Sequence, residues 1–257
     1  MKVVLLAGGL GTRLSEETQV RPKPMVEIGG RPILWHIMKI YSHYGFNDFI
    51  ILLGYKGEVI KQYFSNYFLH NNNITIDMTN NSIEILNNSV DPWKVTLIDT
   101  GLEAMTGARI KRAQEHIGNS TFMLTYGDGL SNIDLHRLLD FHKQQRKTVT
   151  MTTVQPEGRF GVVNVHQDGN VIDFAEKPKG DGNWVNAGFF VCERGIFDFL
   201  DSGNECILEQ GPLKLLTKSG GLVAFKHSGF WRPMDTLKDK VELNSLWSSG
   251  DAPWKLW

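Results

Sequence analysis

The sequence predicts an α/β protein built on a mixed, mostly parallel sheet flanked by helices. Three observations carry that expectation. Short β-branched and aliphatic runs recur at residues 3–7, 48–54, 93–101, 121–126 and 149–154. Between several of them apolar residues return at helical intervals, as at Ile33, Ile37 and Ile40. Short glycine- and proline-marked turns join the two kinds of segment. A strand–helix series with short turns forms a parallel sheet with helices on both faces, and ligands of such sheets collect at the carboxyl ends of the strands.

Val3-Val4-Leu5-Leu6-Ala7 reads as a buried parallel strand, which Gly8-Gly9 ends. The loop Gly8-Gly9-Leu10-Gly11-Thr12-Arg13 follows at once. Without a Cβ, glycine lets the backbone bend and bring N–H groups close to an anion. Arg13 adds a planar, permanently charged fork suited to phosphate. Pro22-Lys23-Pro24 then braces one lysine between two prolines. Together these residues read as a triphosphate site. A dinucleotide fingerprint needs glycine where Leu14 stands, and no Walker string G-x-x-x-x-G-K-[ST] occurs. A tight turn with solvated charges is the plain alternative for the glycines alone.

Pro32 starts a helix that runs to near Gly45, and His36 and His43 lack acidic or cysteine partners at a metal spacing. Residues 48–54 are the second strand and 56–64 a second helix. Residues 70–92 differ: Asn71-Asn72-Asn73, Asn80-Asn81 and Asn87-Asn88 punctuate two short alternating runs, the pattern of a hairpin-like insertion. Residues 93–101 are the next strand and 110–115 a helix. Thr106-Gly107 at its start can offer a hydroxyl and N–H groups to a ligand, although the local residues alone favour a plain N-cap.

The strand 121–126 ends in Gly127-Asp128-Gly129. An aspartate between glycines at a strand's carboxyl end suits Mg²⁺, and it is also an ordinary turn residue. A helix over 133–147, a strand over 149–154 and a hairpin over 158–174 follow, closed by Glu176-Lys177-Pro178. Residues 185–192 are a strand in which Asn186, Ala187 and Gly188 leave room for a ligand. Residues 205–219 read as mostly helical and 222–225 as a strand. Asp235-Thr236 reads as the N-cap of a last helix from Leu237 to Trp247. The chain reads as one domain over 1–257, with the insertion at 70–92 and a helical C-terminal tail at 237–257. Four tryptophans, Trp231, Trp247, Trp254 and Trp257, fall in the last part of the chain and suggest that it is packed or forms an interface.

A length of 257 residues with 41% hydrophobic and 21% charged residues is enough for a sizeable soluble core. The net charge of −1 leaves no global footprint for nucleic acid. No apolar run reaches a signal or membrane-spanning length, and Cys192 and Cys206 form neither a metal spacing nor a disulfide framework. The expected setting is cytoplasmic.

Leu6-Ala7-Gly8-Gly9-Leu10-Gly11-Thr12-Arg13-Leu14 with Pro22-Lys23-Pro24-Met25 is similar to the signature of the sugar-1-phosphate nucleotidyltransferases. Tyr126-Gly127-Asp128-Gly129, Phe160-Gly161-Val162, Glu176-Lys177-Pro178 and Asn186-Ala187-Gly188-Phe189 recur in that family in the same order, so the resemblance spans nearly the whole chain. Trp35-His36-Ile37-Met38, Gly54-Tyr55-Lys56-Gly57, Thr100-Gly101, Met105-Thr106-Gly107, residues 229–236 and Ala252-Pro253-Trp254-Lys255 resemble the branch that joins CTP to glucose 1-phosphate.

The resemblance implies a Rossmann-like fold of the nucleotide-diphospho-sugar transferase type. It implies cytidylyl transfer from CTP to glucose 1-phosphate, giving CDP-glucose and pyrophosphate for the dideoxyhexoses of bacterial O-antigen lipopolysaccharide. It also implies Mg²⁺ and a homo-oligomer, a hexamer. Carried over by motif, Leu6, Ala7, Gly8, Gly9, Leu10, Gly11 and Thr12 lie against the nucleotide, and Arg13 grips its β and γ phosphates. Lys23 neutralises the phosphoryl group under attack, and Asp128 and Asp235 hold the metal. Arg13, Lys23 and Asp128 are thus the catalytic set. Ala104, Thr106, Gly107 and Arg109 serve the nucleotide side, Ala104 through its backbone, since alanine lacks the small hydroxyl the family often has there. Lys177 takes the sugar phosphate, and Glu176 and Asn186 bond sugar hydroxyls with Gly161 and Gly188 close by. Two alternatives remain: a uridylyl- or thymidylyltransferase acting on another sugar 1-phosphate, and an inactive nucleotide-sugar binder. The presence of Arg13, Lys23, Asp128, Lys177 and Asp235 argues against the second.

Overall fold

Seven strands build the central sheet: β1 (Lys2–Leu6), β2 (Asp48–Leu53), β3 (Lys94–Asp99), β4 (Phe122–Tyr126), β5 (Val149–Val154), β6 (Val185–Cys192) and β7 (Leu222–Lys226). The structure, a computed structural model, describes residues 1–87, 90–156, 158, 161–176, 179 and 183–257. The spatial order is β7-β5-β6-β4-β1-β2-β3. The sheet is mixed and mostly parallel, as the sequence predicts. Only β6 runs against its two neighbours, β4 and β5.

The chain turns one way from β1 to β2 and later returns to β1's other edge with β4. This reversal makes the carboxyl ends of β1 and β4 the topological switch point, where a crevice opens. Because β6 is antiparallel, its first residues reach the same end of the sheet. Gly188 lies there at φ +80°, and a Cβ on it would stand 2.3 Å from the Tyr126 ring. Glycine is therefore required for β6 to pass the end of β4.

Alternation along the strands supplies two cores. Val3 and Leu5 face one side, with Ile33 and Ile37 of α1 (Ile33–His43) and Ile60 of α2 (Gly57–Ser65). Val4, Leu6, Ile50 and Leu52 face the other, against Ile110 of α3 (Thr106–Arg112). The first core also takes Leu138 of α4 (Leu135–Gln145), and the second takes Leu216 of α5 (Pro212–Lys218). Each such side chain contributes roughly 1.5–3 kcal/mol by its burial.

Several boundaries differ from the sequence reading. Of 205–219 only Pro212–Lys218 is helical, since proline opens a helix but cannot extend one through its own position. Two carbonyls there serve the start of α3 instead: Asn204 accepts from the Met105 amide, and Cys206 accepts from the Gly107 and Ala108 amides. The helix expected over 110–115 begins at Thr106. The one expected over 133–147 is trimmed to α4, which Asp134 caps by accepting from the Arg137 amide and which ends at Arg146 with φ 51°.

Ile74–Asp77 pairs with Ser82–Ile85, and Val162–Val165 with Val171–Ala175, as antiparallel ribbons outside the central sheet. α6 (Leu237–Ser249) carries the chain toward its end, where Trp254 is fully buried between Phe230 and Trp247. Among the described residues no helix is long and apolar enough to cross a membrane.

Candidate active site

A cavity of about 530 Å³ opens at the switch point. The glycine loop after β1 forms one wall. Of the nucleotide residues expected from the sequence, Leu6, Ala7, Gly8, Gly9, Gly11, Thr12, Arg13, Lys23, Ala104, Thr106, Arg109 and Asp128 line it. Leu10 and Gly107 do not. On the sugar side Asn186 lines it, whereas Gly161, Glu176 and Gly188 lie outside the lining. Lys177 lies outside the described residues.

The charged centre is assembled by a short ladder. Gly129–Ser131 continues the chain just beyond Asp128 and pairs with Trp231–Pro233. The Met234 amide then donates to the Asp128 carbonyl at 2.8 Å, which brings Asp128 and Asp235 side by side. Lys23, in the one-turn 3₁₀ helix Lys23–Met25, donates to both: its Nζ is 2.6 Å from Asp128 Oδ2 and 2.6 Å from Asp235 Oδ1. Arg13 Nη1 lies 2.8 Å from the other oxygen of Asp235. Burial alone pulls the Lys23 ammonium toward deprotonation, but the Asp128 and Asp235 carboxylates outweigh it and hold its pKa above the ordinary lysine value. Lys23 is therefore a fixed cation at neutral pH.

The expectation that Asp235 helps cap the last helix is corrected. Thr236 is the N-cap of α6, in a reciprocal capping box with Asp239, which leaves the Asp235 carboxylate to Lys23 and Arg13.

Two carboxylates converging on one cation position suit a divalent cation. Mg²⁺ is commonly held by one or two carboxylates, completed by substrate phosphates and water. Among the described residues no group of three or more His, Cys, Asp or Glu could hold a metal, so phosphate oxygens would complete this site.

Arg109 is buried, and its role is braced rather than open. Nη1 donates to the Leu53 and Gly101 carbonyls and to Thr100 Oγ1, while Nη2 donates to the Gly8 and Leu102 carbonyls. It ties the glycine loop to the turn after β3. A Cβ at Gly8 or at Gly54 would stand 2.4 Å from Arg109 Nη1, which explains glycine at both places. The donors at the start of α3 are likewise engaged. Gly107 N–H donates to the Cys206 carbonyl, and Thr106 Oγ1 donates to Glu209 Oε2 at 2.8 Å while accepting from the Leu208 amide.

Three residues that the sequence reading did not assign to the site form or brace its wall. Tyr126 ends β4 on its wall, Trp231 fixes its indole on the Ala187 carbonyl at 2.8 Å, and Glu209 bonds Tyr126 and Thr106. Tyr126 and Trp231 sit inside motif strings and could have been marked. Glu209 lies in no motif, and only the folded chain brings it there.

A cation-lined, glycine-walled cleft at the switch point of such a sheet defines a phosphate-transferring enzyme, and comparison with known proteins agrees. Residues 2–245 match the family model described as nucleotidyl transferase, and the chain belongs to that family. It is 55% identical over 258 residues, covering all of both chains, to the glucose-1-phosphate cytidylyltransferase of Salmonella typhi. It is 45% identical over 257 residues, again all of both, to a probable glucose-1-phosphate cytidylyltransferase of Bacillus subtilis. A putative glucose-1-phosphate thymidylyltransferase from Bacillus anthracis superposes with a TM-score of 0.70 at 20% identity, covering 96% of this chain and 94% of that one. At that identity the likeness shows the fold.

Proposed function

We infer that this chain transfers the cytidylyl group of CTP to glucose 1-phosphate, giving CDP-glucose and pyrophosphate. The end-to-end identity to two proteins of that name supports the substrate pair. The observation that carries the chemistry is Lys23 Nζ held 2.6 Å from both Asp128 and Asp235 beneath the glycine loop.

A phosphate oxygen of glucose 1-phosphate attacks the α-phosphorus of CTP. The new P–O bond forms as the bond to the bridging oxygen breaks, and pyrophosphate leaves with the electron pair. The nucleophile is already an anion at neutral pH, so no general base is required. Catalysis is then positioning plus neutralisation of charge. Lys23 serves the α-phosphate, and Arg13, with its exposed side chain, serves the β and γ phosphates. Backbone groups of residues 8–12 carry the rest of the triphosphate. Asn186 bonds the sugar, while Lys177 and Glu176 are assigned by motif alone to the sugar phosphate and a sugar hydroxyl. Asp128 and Asp235 would hold Mg²⁺, which when bound neutralises phosphate charge. We further place the enzyme in the cytoplasm, as a homo-oligomer acting in O-antigen synthesis.

Pyrophosphate release from glucose 1-phosphate with each common nucleoside triphosphate tests this reading. CTP should exceed UTP and dTTP by at least about tenfold, a difference of one well-made hydrogen bond. Faster turnover with UTP or dTTP would reassign the nucleotide, and no release with any triphosphate would make the chain a binder.

A further inference from the structure

Glu209, on the irregular stretch that precedes α5, lies outside the cavity lining and ties two of its wall residues, Thr106 and Tyr126, together. One carboxylate oxygen accepts from Thr106 Oγ1 at 2.8 Å on the nucleotide arm, and the other accepts from the Tyr126 hydroxyl. A carboxylate only accepts, so both hydroxyls must point their protons at it. The Tyr126 oxygen is then left to accept, and Asn186 Nδ2 lies 3.2 Å away. The far end of the Asn186 amide is fixed as well, because Oδ1 accepts from the Gly188 amide at 2.8 Å. The polarity therefore runs one way, from Asn186 through Tyr126 to Glu209. It leaves the second N–H of Asn186 without a partner among the described residues, on the cavity wall.

We propose that Glu209 is a positioning residue: it sets the proton of Tyr126 and, through it, holds the Asn186 amide as a donor to a sugar hydroxyl. This rests on the reading above, in which Asn186 marks the sugar end of the cavity. Burial, reinforced by the charge of Glu209, pushes the Tyr126 phenol well above its ordinary pKa, so the hydroxyl keeps its proton at neutral pH. Without the carboxylate the Tyr126 hydroxyl becomes a free rotor, and Asn186 loses one of the two contacts that orient its amide.

The test uses the full-length enzyme and pyrophosphate release, varying each substrate with the other saturating. Glu209→Gln keeps the shape; its amide oxygen can go on accepting from Thr106 on the nucleotide arm, which turns its NH₂ toward Tyr126 and removes only that acceptor. The KM for glucose 1-phosphate should rise about tenfold, the KM for CTP should stay within about twofold, and the melting temperature should be retained. Tyr126→Phe should reproduce that split. The double variant should be no worse than the poorer single, since both break one relay. An unchanged KM for glucose 1-phosphate in Glu209→Gln, an equal rise in both KM values, or multiplying losses in the double variant would each overturn the proposal. If Glu209→Gln does not fold, an unchanged KM in Tyr126→Phe overturns it alone. Wild-type enzyme that turns over no sugar 1-phosphate would strike the functional reading itself, a separate and prior failure.

Discussion

Lys23 is the residue on which most of the site's electrostatics turn. Its ammonium is three-donor and buried, and it faces two carboxylates that would repel each other without it. Removing a partner from such a cluster leaves uncompensated charge as well as losing a phosphate contact. Lys23→Ala should lower turnover by on the order of 3 kcal/mol of transition-state stabilisation, roughly a hundredfold or more, while near- and far-UV circular dichroism stay native. Asp128→Ala should do the same. Near-normal pyrophosphate release in either variant would remove its assigned role. A second residue-scale outcome concerns Gly54, where a Cβ would meet Arg109 Nη1 at 2.4 Å and the Gly8 carbonyl at 2.6 Å. Neither neighbour can yield easily, because the guanidinium is tied to five acceptors and the carbonyl is one of them. Gly54→Ala should cost about 1–3 kcal/mol, read as a lower urea midpoint at unchanged slope.

At the scale of elements, the tail beyond α6 packs on aromatic rings and is tied to α1 by one buried histidine. His36 on α1 is fully buried, and its Nδ1 accepts from Trp254 Nε1 at 3.3 Å, so Nε2 carries the proton and donates to the Ile28 carbonyl at 2.8 Å. Burial, opposed by the Ile28 bond and aided by nearby Arg31, lowers its pKa to about 4. The fold thus favours the neutral ring. This stability is fully present above the unfolded pKa near 6.5 and is lost as pH falls toward 4. The unfolding free energy from urea titration should hold from pH 8 to 7 and then decline by up to about 1.4 kcal/mol per pH unit, with His36→Gln flattening that decline. An equally steep acid limb in His36→Gln would assign the loss elsewhere. The same elements show what the sequence made legible. Strands β1, β2 and β4 could be read because buried parallel strands are continuous apolar runs. The glycine loop and Asp128 could be marked because each closes an apolar strand at its carboxyl end, with Arg13 and a proline-braced Lys23 beside the first. The stretch 205–211 could not: its residues look helical, but the Cys206 carbonyl accepts from the Gly107 and Ala108 amides of α3, a tertiary bond with no local signature. For the same reason Glu209 was invisible, as was the engagement of Arg109, whose five acceptors come from chain segments far apart.

At the scale of the whole molecule, two ribbons stand outside the central sheet with their apolar side chains in solvent. Val165, Val171, Ile172 and Phe174 are all more than half exposed, as are Ile76, Met78 and Ile83 on the other ribbon. A two-stranded ribbon is marginal in water unless something packs on it, and a soluble monomer rarely leaves a contiguous apolar patch of this kind. The tryptophans of the tail offer no cover, since Trp254 is consumed in the molecule's own core. A second copy of the chain is the simplest partner, and we predict a homo-oligomer. Sedimentation should give a multiple of the 29.1 kDa chain mass. Ile172→Lys combined with Phe174→Glu should shift it to a smaller species, because two charges in a core-like contact cost several kcal/mol. The ribbon ends beside Glu176, in the motif assigned to the sugar phosphate. The smaller species should therefore bind glucose 1-phosphate more weakly and CTP about as well. A wild-type protein that sediments only as monomer would remove the prediction. An oligomer unchanged by the two charges would move the interface to the Asn-rich ribbon, where Ile76→Lys is the next variant to sediment.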